Sequence, residues 1–153
     1  MAPRKILLIE DNADDELLTL EALSELAIQH QVQVVRHGVN IVEHIISKSD
    51  NNQADSARTN STTLPCLILL DLSLPYLSGI KVLQNIRADK RTCLIPVVML
   101  TSSREEKDRI NSFTYGANSY VCKPIEYQHY IDAIKQIGLY WLTINLPVTD
   151  RIH

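Results

Sequence analysis

Short apolar runs alternate with longer amphipathic stretches along this chain. Runs such as Ile-Leu-Leu-Ile at 6–9 and Leu-Ile-Leu-Leu at 67–70 are continuously apolar, which is typical of strands buried on both faces of a sheet. Between such runs the apolar residues recur every three or four positions, as on one face of a helix. The predicted strands are 6–9, 31–35, 67–70, 96–100 and 119–122, and the predicted helices are 14–29, 39–46, 79–88, 105–115 and 127–141.

The strict alternation of strands and helices predicts the architecture. Strands joined by right-handed helical crossovers form an α/β fold, here (βα)5, with a doubly wound five-stranded parallel sheet and helices on both faces. Ligands bind such folds outside the carboxyl ends of the strands. The first helix is expected to bury a stripe made of Leu17, Leu20, Leu23 and Ala27.

Residues 47–63 break the pattern. This segment has only two apolar residues, both alanines, so it cannot join a core. We expect a flexible polar insertion between the second helix and the third strand, at the face opposite the ligand site. The rest of the chain is expected to form one domain over residues 1–138, followed by an extension over 139–153.

Composition excludes several classes of protein. The chain has 153 residues but only four glycines, too widely spaced for a dinucleotide fingerprint or a P-loop. A net charge of −3 with no run of five like charges argues against nucleic-acid binding. The three cysteines fit neither a disulfide framework nor a zinc site, and the N-terminal apolar run is too short for a signal peptide or membrane span. We therefore expect a reduced, cytoplasmic protein.

Chemically reactive side chains follow four of the predicted strands. Glu10 and Asp11 follow the first, Asp71 the third, Thr101 the fourth and Lys123 the fifth. Crowded carboxylates raise one another's proton affinity, so this cluster needs a counter-charge, and Mg²⁺ is the cation that prefers oxygen ligands together with phosphate. The set suggests phosphoryl transfer to a carboxylate, because an Asp side chain can be a covalent nucleophile that forms an aspartyl phosphate.

Four motifs in the correct order resemble a response-regulator receiver domain of the CheY-like family. They are Ile-Glu-Asp-Asn at 9–12, Leu-Ile-Leu-Leu-Asp-Leu-Ser-Leu-Pro at 67–75, Pro-Val-Val-Met-Leu-Thr-Ser at 96–102 and Lys-Pro at 123–124. The resemblance covers about residues 4–138. It implies a strand order of 2-1-3-4-5 and a signalling switch whose Asp71 takes phosphate from a histidine-kinase phosphohistidine.

The resemblance also implies the metal ligands. Asp11 and Asp71 would bind Mg²⁺, and the backbone carbonyl of Ser73 would complete the protein's share. Glu10 would bind the metal directly or through water. Many members of the family carry Asp at the position of Glu10, so which of the two adjacent acids touches the metal stays open.

Three further positions match residues that respond to the phosphoryl group. The resemblance implies that Lys123 pairs with the phosphate and that Thr101 bonds a phosphoryl oxygen in the active state. Tyr120 matches the aromatic residue whose side chain turns inward when the threonine moves. Such contacts exist in one state only, so they shift a conformational equilibrium and pass a signal to a partner.

The C-terminal segment, residues 138–147, carries a narrower resemblance. Its aromatic-Trp sequence, the chain length and the insertion at 47–63 are similar to stand-alone regulators that pair with cyanobacterial phytochrome kinases. In that group the extension helps to form a homodimer, which here would use Tyr140 and Trp141. The same pair could instead cover the lower end of the domain's own core.

Plainer interpretations exist for each residue, and two other functions compete. The acids at 10–11 and Thr101 could cap helices, and Tyr120 could be simple sheet packing. A haloacid-dehalogenase-like phosphatase also uses a strand-end Asp and Mg²⁺, but it wants a second Asp where this chain has Ser73. A flavodoxin-like carrier needs a phosphate loop after the first strand, where the acids at 10–14 would repel phosphate. The five histidines show no ligand spacing.

Overall fold

A computed structural model describes residues 4–51 and 64–148. Five strands and five helices alternate along these residues, and a short π-helical turn follows the last helix. The strands are β1 (Arg4–Ile9), β2 (His30–Val35), β3 (Leu67–Leu70), β4 (Val97–Thr101) and β5 (Ser119–Cys122). The helices are α1 (Ala13–Ser24), α2 (Ile41–Asn51), α3 (Gly79–Ala88), α4 (Glu106–Thr114) and α5 (Tyr127–Leu139), and the π-helical turn is Tyr140–Ile144.

The strands form one parallel sheet in the order β2-β1-β3-β4-β5. This confirms the predicted (βα)5 fold. The order reverses beside β1, which pairs with β2 on one edge and with β3 on the other. The carboxyl ends of β1 and β3 therefore lie next to each other at the switch point where such folds bind ligands.

Alternate residues of each strand enter two cores, one on each face of the sheet. In β1, Ile6 and Leu8 pack with α1 and α5, whereas Leu7 and Ile9 pack with α2 and α3. Each such side chain is almost fully buried, which stabilises the fold by about 1.5–3 kcal/mol. Burial on both faces explains why the strands appear in the sequence as continuous apolar runs.

The structure corrects the predictions for two helices. Helix α1 ends at Ser24 rather than at residue 29, and Leu17 is 65% exposed. Thr19 lies on the buried face instead, where its hydroxyl is 3.1 Å from the Tyr130 hydroxyl. Helix α2 runs to Asn51 and so includes the first five residues of the predicted insertion at 47–63. The remainder of that insertion lies outside the described residues.

Arg87 at the end of α3 joins the loops that precede β4 and β5. Its guanidinium donates to the carbonyls of Cys93, Ile95 and Gly116 over 2.7–3.1 Å. It also donates to the Asn118 side chain over 2.8 Å. These contacts fix the amino ends of both strands, at the opposite end of the sheet from Asp71.

Helices with the length and hydropathy needed to cross a membrane are absent from the part of the chain that the structure describes.

Candidate functional site

Three carboxylates meet at the carboxyl ends of β1 and β3. Glu10, Asp11 and Asp71 each offer one oxygen, and these oxygens lie within 4.8 Å of one another. The strand ladder continues into the site, because Glu10 donates its amide to Val35 and Asp71 donates its amide to Ile9. The sheet itself therefore sets the separation of Glu10 and Asp71, both of which are buried, whereas Asp11 is exposed.

The Lys123 ammonium lies between carboxylates from three different elements. Its Nζ donates to Glu10 over 2.7 Å and to Asp71 over 2.8 Å. A third hydrogen bond of 2.7 Å goes to Asp15 in the first turn of α1. An ammonium has three protons, so all of its donors are in use. The backbone amide of Lys123 is anchored by the Thr101 carbonyl at 2.7 Å.

The crowding of charge alters two pKa values. Burial, opposed by Lys123 and reinforced by Asp71, raises the pKa of the Glu10 carboxyl to about 7. Burial alone would lower the pKa of the Lys123 ammonium. Hydrogen bonds to its three carboxylate partners have a larger effect in the opposite direction, so the pKa of Lys123 lies above its ordinary range. The lysine is therefore charged, and the carboxylates hold more negative charge than one ammonium compensates.

The donor set fits a hard divalent cation. Mg²⁺ is usually held by one or two carboxylates, with water and phosphate oxygens as its other ligands, and this cluster offers three carboxylates from which to draw them. Ser73 lines the same cleft, and its amide donates to Asp71 Oδ1 over 3.2 Å. The use of the Ser73 carbonyl as a ligand stays a prediction.

An open cleft of about 870 Å³ covers this site. Asp11, Asp71, Thr101 and Lys123 line it, together with the loop that follows β4. Thr101 is 2% exposed, and its Oγ1 accepts a hydrogen bond from the Ser103 amide at 3.2 Å. The structure thus brings the predicted strand-end residues together around one cavity.

Tyr120 lies beside this cleft and contacts the loop after β4. Its hydroxyl donates to the Ser103 carbonyl over 2.9 Å, and the Cys122 thiol donates to the same oxygen over 3.3 Å. The ring packs against the core on the α2 and α3 face of the sheet. Both the packing interpretation and contact with the loop next to Thr101 therefore hold in this structure.

Tyr140 and Trp141 lie apart from the cleft, in the π-helical turn. Their rings meet edge to face, with centroids 5.0 Å apart. Trp141 is half-buried against the core between the sheet and helices α1 and α5, whereas Tyr140 is 46% exposed. Trp141 thus covers the domain's own core, and Tyr140 presents an aromatic surface to solvent.

Asp15 is the site residue that the sequence did not reveal. It follows the helix cap Asn12 by three positions, where an acid ordinarily serves the cap or the helix dipole. Its partner Lys123 is 108 positions away, so only the fold shows the contact.

Comparison with known proteins now identifies the class. Residues 6–135 match the family model described as "Response regulator receiver domain". The chain therefore belongs to the response-regulator receiver family, whose members are signalling domains rather than classical enzymes.

Two curated relatives match nearly the whole chain. Response regulator Rcp1 of Synechocystis sp. is 34% identical over 146 residues, which cover 95% of this chain and 94% of Rcp1. The probable methanogenesis regulatory protein FilR2 of Methanothrix harundinacea is 30% identical over 143 residues, which cover 94% of this chain and 86% of FilR2.

Solved structures extend the similarity. The phosphorylated cyanobacterial phytochrome response regulator RcpA shares 33% identity with a TM-score of 0.81, covering 96% of this chain and 99% of RcpA. The Mn²⁺-bound form of Rcp1 shares 32% identity with a TM-score of 0.77, covering 95% and 99%. The chain is thus a receiver-domain response regulator homologous to phytochrome response regulators, and nothing supports the phosphatase or flavodoxin-like alternatives.

Proposed function

We propose that this protein accepts a phosphoryl group on Asp71 from the phosphohistidine of a phytochrome-type histidine kinase. The observation that carries the proposal is the Lys123 ammonium 2.8 Å from Asp71, at strand ends where Glu10 and Asp11 bring two further carboxylates. The relatives Rcp1 and RcpA support the pathway, since RcpA is named a phytochrome response regulator. This role places the protein in the cytoplasm with the kinase.

The chain's own residues supply the nucleophile and the charge. An Asp71 carboxylate oxygen forms a bond to phosphorus as the bond from phosphorus to the kinase imidazole breaks, and the electron pair returns to that nitrogen. Lys123 then neutralises charge on the phosphoryl oxygens. A Mg²⁺ ion held by Glu10, Asp11, Asp71 and the Ser73 carbonyl would supply further positive charge. The same groups would assist hydrolysis of the acyl phosphate by water.

Thr101 connects the phosphoryl group to the rest of the molecule. When Thr101 moves to donate its hydroxyl proton to a phosphoryl oxygen, its Oγ1, which accepts from the Ser103 amide, moves with it and disturbs Ser103. The Ser103 carbonyl is the acceptor for Tyr120, so movement of Ser103 changes the position of that ring. Phosphorylation would thereby alter the surface formed by the loop after β4 and by β5, which a partner would recognise.

We further propose that the extension after residue 138 forms a homodimer through Tyr140 and Trp141. Tyr140, Ile144 and Leu146 are between 46% and 84% exposed and follow one another along the chain. Exposed aromatic and aliphatic side chains in one segment favour association. The edge-to-face pair gives this surface a rigid aromatic element.

Phosphorylation by a small donor tests the central proposal. Incubation with acetyl phosphate and Mg²⁺ should add one phosphoryl group to the wild-type chain, as measured by intact mass. Asp71→Asn should give no adduct. Asp14→Asn is the matched control, because Asp14 is exposed on the first turn of α1 outside the cluster, and it should behave like the wild type. An equal adduct on Asp71→Asn and the wild type would contradict the proposal.

A further inference from the structure

Asp15 has no part in the function proposed above, yet it contacts the central cation of the site. Its Oδ2 lies 2.7 Å from Lys123 Nζ, as close as the nearest oxygen of Glu10. Its side chain is 24% exposed, compared with 1% for Glu10 and 9% for Asp71. It is not one of the three carboxylates that converge on a single point. A bound divalent cation would therefore not offset its charge directly.

The start of α1 explains why this carboxylate faces the lysine. Asn12 caps the helix, and its side chain accepts a hydrogen bond from the Asp15 amide at 2.9 Å. In a capping box the acid three residues after the cap returns to the amide of the cap residue. Here the Asn12 amide is directed to Glu10 Oε2, 3.3 Å away. The Asp15 carboxylate therefore does not take the Asn12 amide as its partner and accepts a hydrogen bond from Lys123 instead.

The number of donors on Lys123 makes this contact consequential. In the unphosphorylated protein its three protons meet three carboxylates, so phosphoryl oxygens on Asp71 must compete with Glu10 and Asp15 for the ammonium. Glu10 and Asp71 are buried and already hold the ammonium in place. The bond to Asp15 is therefore not needed to position the lysine, and it adds negative charge where a dianion must bind.

We propose that Asp15 competes with the phosphoryl group for the Lys123 ammonium. It occupies the third proton of the lysine in the unphosphorylated protein and weakens the affinity of the site for a phosphoryl group. This inference rests on the proposed phosphorylation of Asp71. Asp15, in the first turn of α1, would thereby destabilise the phosphorylated state, and we call this effect the brake.

The experiment measures binding of beryllium trifluoride, which mimics a phosphoryl group on a carboxylate. The full chain is titrated by calorimetry at saturating Mg²⁺, with saturation established separately for each variant. Charge-assisted hydrogen bonds are roughly twice as strong as neutral ones, so we expect Asp15→Asn to lower the Kd about three- to tenfold. Asp15→Ala, which removes the acceptor as well, should lower the Kd at least as much.

Asp14→Asn is the matched control, because it removes the same charge from the same helix turn without contact to Lys123. It should keep the wild-type Kd. Equal or weaker binding by Asp15→Asn relative to Asp14→Asn would overturn the brake, since a merely structural role cannot tighten binding. If the wild type fails to bind beryllium trifluoride and Asp71→Asn gives the same result, the proposed phosphorylation of Asp71 is overturned, and the brake with it.

Discussion

Lys123 reaches the site from the end of β5 and compensates carboxylates that come from β1, β3 and α1. Its side chain is 5% exposed, so water offers little compensation of its own. The lysine could be assigned to the site from the sequence because it follows an apolar strand directly. That Lys123 uses all three of its protons could not be predicted, because the packing of α1 against α5 brings Asp15 to the lysine.

The first prediction concerns the loss of this cation. Lys123→Met leaves three carboxylates without a counter-charge, and removing one partner of a buried ion pair typically costs about 3–5 kcal/mol. We expect a decrease of about 3 kcal/mol in the free energy of unfolding without Mg²⁺, measured by urea denaturation. Added Mg²⁺ should stabilise the variant more than the wild type, because the uncompensated carboxylates bind it.

Lys135→Met is the control for that measurement. Its pair with Glu25 spans 3.1 Å at the surface, where such pairs contribute less than about 1 kcal/mol. A Lys123→Met variant that is no less stable than Lys135→Met would contradict a central role for the buried ammonium.

The second prediction concerns pH and His44, a half-buried residue of α2. Burial, and then the charges of Lys48 and His37, lower the pKa of His44 below its ordinary value of 6.5. Below that value the unfolded chain binds a proton more readily than the folded protein, so the contribution of His44 to the free energy of unfolding decreases as the pH falls. Protonation of Glu10, whose pKa is about 7, has the opposite effect in the wild type and in the His44 variant alike, so the two proteins are compared as a difference. Between about pH 7.5 and 5.5 the free energy of unfolding of the wild type should decrease relative to that of His44→Gln.

His129→Gln provides the comparison, since His129 is exposed on α5. The free energy of unfolding of this variant should follow that of the wild type over the same pH range. Parallel curves for the wild type and His44→Gln would contradict the assignment.

Strands β3 and β5 and helix α3 could be predicted from the sequence with correct ends. Helix α3 begins after Ser78, whose hydroxyl accepts from the Lys81 amide, and β3 is apolar throughout. The end of α1 could not be predicted, because apolar residues continue past Ser24 into the loop before β2. The buried face of α1 was also missed, since polar Thr19 is satisfied by Tyr130, 111 positions away.

Gly79 at the start of α3 gives the third prediction. A Cβ at this position would lie 2.1 Å from the Asp71 carbonyl oxygen and 2.7 Å from the Leu72 Cα, and backbone atoms cannot rotate aside. Gly79→Ala should therefore lower the free energy of unfolding by more than about 2 kcal/mol, a cost typical of overpacking. It should also reduce phosphorylation of Asp71, because the displaced backbone carries that residue.

Gly138→Ala is the matched helix variant. Its Cβ would meet the end of the Leu26 side chain at 2.5 Å, which can change rotamer, and alanine favours helix by about 1 kcal/mol. The net change in urea denaturation should stay within about 1 kcal/mol. Equal losses for the two variants would show that the backbone contact of Gly79 has no special cost.

The two ends of the sheet differ in composition. The carboxyl end carries the charged cleft, and the extension after α5 adds an exposed aromatic and aliphatic surface. The sequence indicated both a core-covering and an associating role for the aromatic pair. In the structure each role belongs to a different residue: the ring of Trp141 packs against the core, and the ring of Tyr140 is exposed and available for association.

This division determines how self-association is best tested. Tyr140→Ser removes exposed aromatic area without opening the core, and interface tyrosines often contribute 2 kcal/mol or more. We expect the dimer Kd to rise at least about tenfold in sedimentation equilibrium, which corresponds to about 1.4 kcal/mol. Leu94→Ser removes a side chain that is 59% exposed elsewhere and should leave the dimer unchanged. Equal association of both variants would exclude the extension as the interface.

The guanidinium of Arg87 limits how a signal travels through this molecule. It ties the loops before β4 and β5 to α3, and Asn118 Oδ1 also accepts the Val97 amide at 2.8 Å. Because these bonds hold the amino ends of the two strands together, we expect phosphorylation to rotate side chains and loops at the carboxyl ends without a sliding of one strand past the other. Hydrogen exchange of the Val97 amide should accordingly be equally slow before and after phosphorylation.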